Sequence, residues 1–202
     1  MLCEAGLPVA AGMLVQCSAD LTEARERVPF PWAIKGISES VTHRADAGLL
    51  ALHVASIDEA REVHARHRGI ADSLGITLDG CYVQQMMAPG HELLFSAFSD
   101  ASFGVMVACA AGGGLTELID DTVLASAPFS VARARNIITR LRLMRKRATA
   151  LNADALDHAA EYLAAFSQVA ATIPWPSFTL ELNPVLCSAS GAVAVDGLVV
   201  IG

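Results

Sequence analysis

Glu181-Leu182-Asn183-Pro184-Val185-Leu186-Cys187, a turn over Ser188-Ala189-Ser190-Gly191, and then Ala192-Val193-Ala194-Val195-Asp196 form the most informative stretch of the chain. Two apolar runs joined by a serine- and glycine-bearing turn predict a pair of strands, Phe178 to Cys187 and Ala192 to Ile201. The first run carries a carboxylate and an amide, Glu181 and Asn183, and the return run carries a second carboxylate, Asp196. All three are hard oxygen donors, the type that suits Mg²⁺, which keeps waters and is shared with nucleotide phosphates. The pattern therefore points to nucleotide chemistry.

Upstream, Met13 to Cys17 and Trp32 to Ile37 are apolar runs separated by the helix-compatible Asp20 to Arg27. After a loop from Ser38 to Gly48, Leu49 to Val54 reads as a strand. Ser56 with Glu59 three positions on is a capping box for a helix reaching Leu74, and Gly75 stops it. Cys81 to Met87, Glu92 to Ser96, Gly104 to Ala108 and Thr122 to Ala125 read as strands, with turns at Pro89-Gly90 and Ser99-Asp100. Ser130 opens a helical pattern into the basic cluster of Arg133, Arg135, Arg140, Arg142, Arg145, Lys146 and Arg147, and Asp154 to Ala171 is a second helix ended by Pro174 and Pro176. The mixture predicts an α/β or α+β fold in two lobes, with a ligand cleft between them.

With 202 residues, 53% of them hydrophobic and 17% charged, the chain can bury a substantial core and is not disordered. A net charge of −7 disfavours nucleic acid, whose binding needs a basic field. The basic cluster reads as a solvated helix face, with a partner-docking or phosphate-contacting surface as the alternative. No apolar run is long enough for a membrane span, and Met1-Leu2-Cys3-Glu4 has no signal-like character, so a cytoplasmic protein is expected. Five cysteines without metal spacing read as small buried hydrophobes in a reducing compartment.

Three further segments could carry chemistry. Lys35 interrupts an apolar strand and would suit phosphate oxygens as a point charge, though a strand lysine facing water is also compatible. Thr42-His43-Arg44-Ala45-Asp46-Ala47-Gly48 could bind phosphate or accept a phosphoryl group on imidazole, or serve as an ordinary polar loop. Gly112-Gly113-Gly114 could offer backbone N–H groups to an anion, or be a flexible turn.

Taken in order, these segments resemble the ATP-grasp domain of the ADP-forming acyl-CoA synthetases, relatives of the succinyl-CoA synthetase β subunit. The resemblance runs from Gly6-Leu7-Pro8-Val9 through Pro31-Trp32-Ala33-Ile34-Lys35, His43 to Gly48, Val83-Gln84-Gln85-Met86, Gly112-Gly113 with Glu117, Ala127-Pro128 and Glu181 to Pro184, ending at Asp196. It implies one ATP-grasp domain over residues 1–202, with a smaller nucleotide-binding lobe over about 15–85 and the metal end in the remainder. It implies ATP or ADP with Mg²⁺ as ligands, and a CoA-binding, phosphohistidine-bearing domain or subunit as partner. Oligomeric state is left open.

Residue by residue, Lys35 resembles the family's phosphate-contacting lysine. His43 resembles the loop histidine of phosphoryl relay, with Asp46 and Gly48 shaping its loop. Gln84 and Gln85 lie in what resembles the hinge that reads adenine and ribose. Gly112, Gly113 and Glu117 resemble the nucleotide-side loop, and Glu181, Asn183 and Asp196 the Mg²⁺-binding end. The implied activity is acid–thiol ligation driven by ATP.

Departures from the family pattern motivate an alternative, a degenerate nucleotide-binding or structural module. Leu49 follows Gly48 where a second glycine is usual, Gln85 stands for a glutamate, and Ala110-Ala111 for a glycine-led pair. Asp120 replaces a lysine and Ala125 an arginine, which thins the positive charge expected around phosphates. A ligase that joins a carboxylate to an amine or thiol through an acyl phosphate is a third reading, against which the His43 loop argues.

Overall fold

The computed structural model describes residues 2, 4–38, 40–41, 46–113, 121–145 and 151–202. His43, Glu117 and Asp120 lie outside the described residues. The chain divides into two units, Ala10–Met87 and Met1–Val9 with Ala88–Gly202.

In Ala10–Met87, β1 (Gly12–Val15), α1 (Asp20–Arg27), β2 (Trp32–Ile37), β3 (Leu50–Val54), α2 (Ile57–Leu74) and β4 (Gly80–Gln85) follow in order. The strands form one antiparallel-paired sheet, β1-β4-β2-β3. Alternation in β2 sends Trp32 and Ile34, both fully buried, to a core with Val15, Leu21, Ala24, Val28, Val54, Val63 and Val83. Both helices cover that face. The capping reading of α2 holds: Ser56 Oγ accepts from Glu59 N at 3.2 Å, Glu59 Oε2 accepts from Ala55 N at 2.9 Å, and Gly75 ends the helix at φ 66.

The other unit continues with β5 (His91–Asp100), β6 (Gly104–Ala111), β7 (Thr122–Ser126), α3 (Val131–Thr139), α4 (Ala153–Ala171), β8 (Phe178–Ser188), β9 (Gly191–Ala194) and β10 (Gly197–Ile201). Its sheet runs β10-β8-β5-β6-β7, with β9 also on β8. Phe95, Leu163, Phe166, Leu180 and Leu182 fill its core. The Phe95 ring lies 6.1 Å from Tyr162 and 6.3 Å from Phe166, and the Tyr162 hydroxyl donates to Pro8 O at 3.0 Å.

Four expectations change. The return strand expected from Ala192 to Ile201 is two strands broken at Val195-Asp196, because both must pair with a β8 that changes phase. The helix expected to carry the whole basic cluster stops at Thr139, whose hydroxyl donates to Arg135 O and Asn136 O at 2.9 and 3.0 Å. That competition for carbonyls ends the α turn; a 3₁₀ turn, Arg142–Arg145, follows, and Leu141 before it is fully buried. The turn expected at Ser99-Asp100 falls one step later, where Asp100 Oδ1 accepts from Ser102 N and Phe103 N at 2.8 and 2.9 Å. Cys81, Cys109 and Cys187 are buried as expected, but Cys17 is exposed.

One buried group sets a pH limit. His67 is fully buried, with Nδ1 3.8 Å from Cys81 Sγ and Nε2 without a hydrogen-bond partner among the described residues. Burial above all, then Arg66 and His64, lowers its pKa from 6.5 to about 4. Between those values the unfolded chain holds a proton that the folded chain does not, so stability must fall as pH falls. Urea unfolding followed by the fluorescence of buried Trp32 is expected to show its midpoint dropping between pH 6.5 and 4. The drop should shrink in His67→Leu; equal drops in both proteins would assign it to other groups.

Candidate functional site

The metal end is built by one register slip. Along β8 the buried residues are Phe178, Leu180 and Leu182, then Val185 and Cys187, so the alternation skips one place at Asn183-Pro184. The pairing with β5 shifts at the same point, from Leu93↔Val185 to Phe95↔Leu182. This is a β-bulge, the device by which a strand re-aims side chains.

Across β8, Gly197 pairs with Leu182 and Leu198 with Glu181, while Asn183 N donates to Asp196 O at 3.2 Å and Val195 N to Pro184 O at 3.1 Å. Asp196 is thus opposite Asn183. In an antiparallel pair opposite residues share a face, as do residues two apart, so Glu181, Asn183 and Asp196 occupy the face away from the Leu180–Leu182 core. All three are half-buried.

The glycines close the same corner. Gly113 N donates to Asn183 Oδ1 at 2.9 Å and Gly112 N to Glu92 O at 2.9 Å. A Cβ on Gly112 would stand 2.5 Å from the Leu93 carbonyl carbon, and one on Gly113, at φ +61, would fall on the Glu92 carboxylate. Close backbone approach, with positive φ at Gly113, is what requires glycine here. Both N–H groups are spent on neighbouring strands, so in this structure they do not form the anion nest expected of them. Glu92, which sequence reading passed over, adds a carboxylate beside Gly113; a lone acid in the apolar run of β5 was the available signal.

Oxygen donors of this kind fit a hard divalent cation. Asn183 Oδ1 accepts from Gly113 N and Asp196 Oδ1 from Gly197 N, both at 2.9 Å, and a carboxylate or amide oxygen can accept more than one bond. Among the described residues no group of three or more His, Cys, Asp and Glu is placed to hold a metal; the candidate set is two carboxylates and an amide.

The remaining candidates lie in Ala10–Met87. Lys35, half-buried in β2, pairs with Tyr82 and Leu50, on the sheet face opposite Trp32 and Ile34. Gln84, 5% exposed, pairs with Gly12 and Ala33 on that face. Gln85 N donates to Ala11 O and Met86 N to Pro31 O, at 2.8 and 2.9 Å, which ties the expected hinge into the sheet. Asp46 and Gly48 are exposed in a turn, Gly48 at φ 72.

Two departures look different in three dimensions. Leu49 is fully buried, and its carbonyl accepts from Gly36 N at 2.8 Å, so it anchors the loop's end. Ala125 pairs with Val107 and belongs to the helix-side core.

The family model for the ATP-grasp domain matches residues 1–201. The chain belongs to the ATP-grasp family. The β subunit of ADP-forming acetate–CoA ligase II from Pyrococcus furiosus is 26% identical over 204 residues, covering 97% of this chain and 86% of that protein. ADP-forming acetate–CoA ligase I of Archaeoglobus fulgidus is 27% identical over 203 residues, covering 98% of this ATP-grasp chain, which spans only 29% of that longer protein. The solved dinucleotide-forming acetyl-coenzyme A synthetase 1 of Ca. Korarchaeum cryptofilum, in complex with coenzyme A, Ca-AMPCP and HgCl⁺, superposes with a TM-score of 0.88 at 22% identity, covering 100% of this chain and 89% of that one. A second structure of that synthetase, with coenzyme A and Mg-AMPPCP and its phosphohistidine segment pointing towards the nucleotide binding site, gives 0.80 at 23% identity, covering 100% of this chain and 88% of that one. At these identities the likeness establishes the ATP-grasp fold, with antiparallel sheets flanked by helices. Among the described residues no helix is long and apolar enough to cross a membrane.

The packing of Gly113 yields a stability test. Gly104→Ala, at φ +72 with nothing within 4 Å of the added Cβ, should cost only the left-handed backbone penalty, about 1–2 kcal/mol. Gly113→Ala adds a collision with Glu92 and should cost clearly more by urea denaturation. In a Glu92→Ala background the excess should disappear; if it persists, Glu92 is not what the position excludes.

Proposed function

We propose that this chain is the ATP-grasp part of an ADP-forming acyl-CoA synthetase, binding Mg-ATP or Mg-ADP and passing a phosphoryl group by way of His43 to a CoA-binding, phosphohistidine-bearing partner. The observation that carries the reading is the shared face of Glu181, Asn183 and Asp196 at the bulge of β8. The names of the relatives supply the reaction class, and the family match supplies the nucleotide. The partner is either a separate subunit, as the Pyrococcus name implies for that protein, or another part of one polypeptide, as the length of the Archaeoglobus protein implies for that one.

In this reading Glu181, Asn183 and Asp196 hold the cation, which when bound screens the charge of the transferring phosphoryl group. Lys35 adds a fixed positive charge on its strand, where binding to a phosphate oxygen costs little ordering. Gln84 and Gln85 position the nucleoside, and Gly112 and Gly113 hold Asn183 in place through the Gly113 N–H. His43, with a nucleophilic imidazole nitrogen, receives the phosphoryl group, and Asp46 and Gly48 shape its loop. Glu117 completes the nucleotide side. Catalysis rests on positioning and charge, the usual means of phosphoryl transfer.

The internally bonded N–H groups of Gly112 and Gly113 favour one competing reading, a nucleotide-binding module without turnover. Titration calorimetry with Mg-ADP is expected to give binding to the wild type that weakens about tenfold or more in Asp196→Ala, the loss of one charge-assisted contact. A wild type that binds neither Mg-ATP nor Mg-ADP at millimolar concentration overturns the nucleotide reading. With a CoA-binding partner and radiolabelled ATP, label should reach the partner's histidine and be lost in His43→Ala. Nucleotide binding without label transfer would select the module.

A further inference from the structure

On the helix side of the Ala10–Met87 sheet, a cavity of about 480 Å³ is lined by Cys17, Ser18, Arg61, His64, Ala65 and Arg68. The four helical residues are spaced to form one stripe of α2, and the loop after β1 faces them. None of the six is acidic, in a chain whose net charge is −7.

Two carboxylates bond residues of this lining, Asp20 through Cys17 and Asp58 through Arg61. Asp20 accepts from Gln16 N at 2.8 Å, Cys17 N at 3.0 Å and Cys17 Sγ at 3.3 Å, and these bonds, led by that from Cys17 N–H, hold its pKa below the usual carboxylate value. Asp58 bonds Arg61 at 2.8 Å, an exposed pair of the kind that contributes little. Arg68 has no carboxylate partner among the described residues. His64, 6% exposed, has its pKa lowered by burial and then by Arg68, so the imidazole is neutral at neutral pH and can share a proton without demanding a counter-charge.

We infer that this cavity binds a small organic oxyanion, a phosphate ester or a carboxylate, with its head held by Arg61 and Arg68 and its body over Cys17 and Ser18. Guanidinium donors match either head in bidentate fashion. The volume suits a small metabolite, and Arg68, without a carboxylate partner among the described residues, gives the selectivity its sign, with Arg61 beside it on the same stripe. The site is separate from the proposed nucleotide site, because Lys35 and Gln84 lie on the other face of the sheet.

Cys17 is the exposed thiol among the described cysteines, since Cys81, Cys109 and Cys187 are buried, and so reports locally on the cavity. In a Cys3→Ser background, alkylation of Cys17 by anionic iodoacetate and neutral iodoacetamide is followed by mass spectrometry, with free cysteine as reference. The iodoacetate preference should exceed the reference by about fivefold, equivalent to ~1 kcal/mol of attraction. Inorganic phosphate should slow the reaction relative to chloride at equal ionic strength. Both effects should vanish in Arg61→Gln/Arg68→Gln and survive in Lys35→Ala. A wild-type preference equal to that of free cysteine, or phosphate protection that survives the double arginine variant, overturns the inference. Neither outcome depends on nucleotide binding, so the two proposals fail separately.

Discussion

The phase slip at Asn183-Pro184 in β8 is the constraint on which the Met1–Val9 and Ala88–Gly202 unit depends. Leu180 and Leu182 must face the helices before it, and Val185 and Cys187 after it, so one residue has to be absorbed without interrupting an eleven-residue strand. Both neighbours answer. β5 shifts register at Leu94, and the return chain splits into β9 and β10, each in phase with its own half of β8. The split leaves Val195-Asp196 as the joint, and that joint sets Asp196 opposite Asn183. The oxygen cluster is therefore a by-product of keeping a core apolar on both sides of a bulge.

This explains what could be read in one dimension. Helix α1, strand β2 and the capping box of α2 are local: apolar period, N-cap and terminal glycine all lie within the segment, and the predicted bounds of α1 and β2 match the observed ones. The split of the return strand is non-local, since nothing in Ala192-Val193-Ala194-Val195-Asp196 announces that its partner changes phase. The same holds for Ala125: in Thr122-Val123-Leu124-Ala125-Ser126 the buried face is decided by Val107 across the ladder. Glu92 was hidden for a related reason, because its place beside Gly113 arises from the β5–β6 pairing and not from any spacing in the chain.

Helix α2 shows how one element meets opposed demands. Ala60, Val63 and His67 point into the core, and the buried imidazole is tolerated by remaining neutral, the usual resolution for a basic group without water. A quarter-turn away, Arg61, His64 and Arg68 face a cavity with no acid in its wall. His64 belongs to both environments. Its burial favours the uncharged ring and Arg68 reinforces that preference, so the positive character of the cavity rests on the arginines alone. Guanidinium stays protonated at any physiological pH, whereas a histidine-based pocket would lose its charge above its pKa.

The distribution of charge, more than its sum, separates the roles of the two faces of the small sheet. Burying Lys35 deep within an apolar strand would be costly, and its half-buried position beside Tyr82 keeps the side chain at the surface of the sheet. On the reverse face the arginines stand on α2 and not on a strand. On the function proposed above, a phosphate met by Lys35 would be held by a group whose backbone is fixed on both sides by β-ladders. An anion met by Arg61 and Arg68 is held by long side chains that adapt to it. The first arrangement suits a reacting group that must be placed accurately, and the second suits a ligand that only has to be retained.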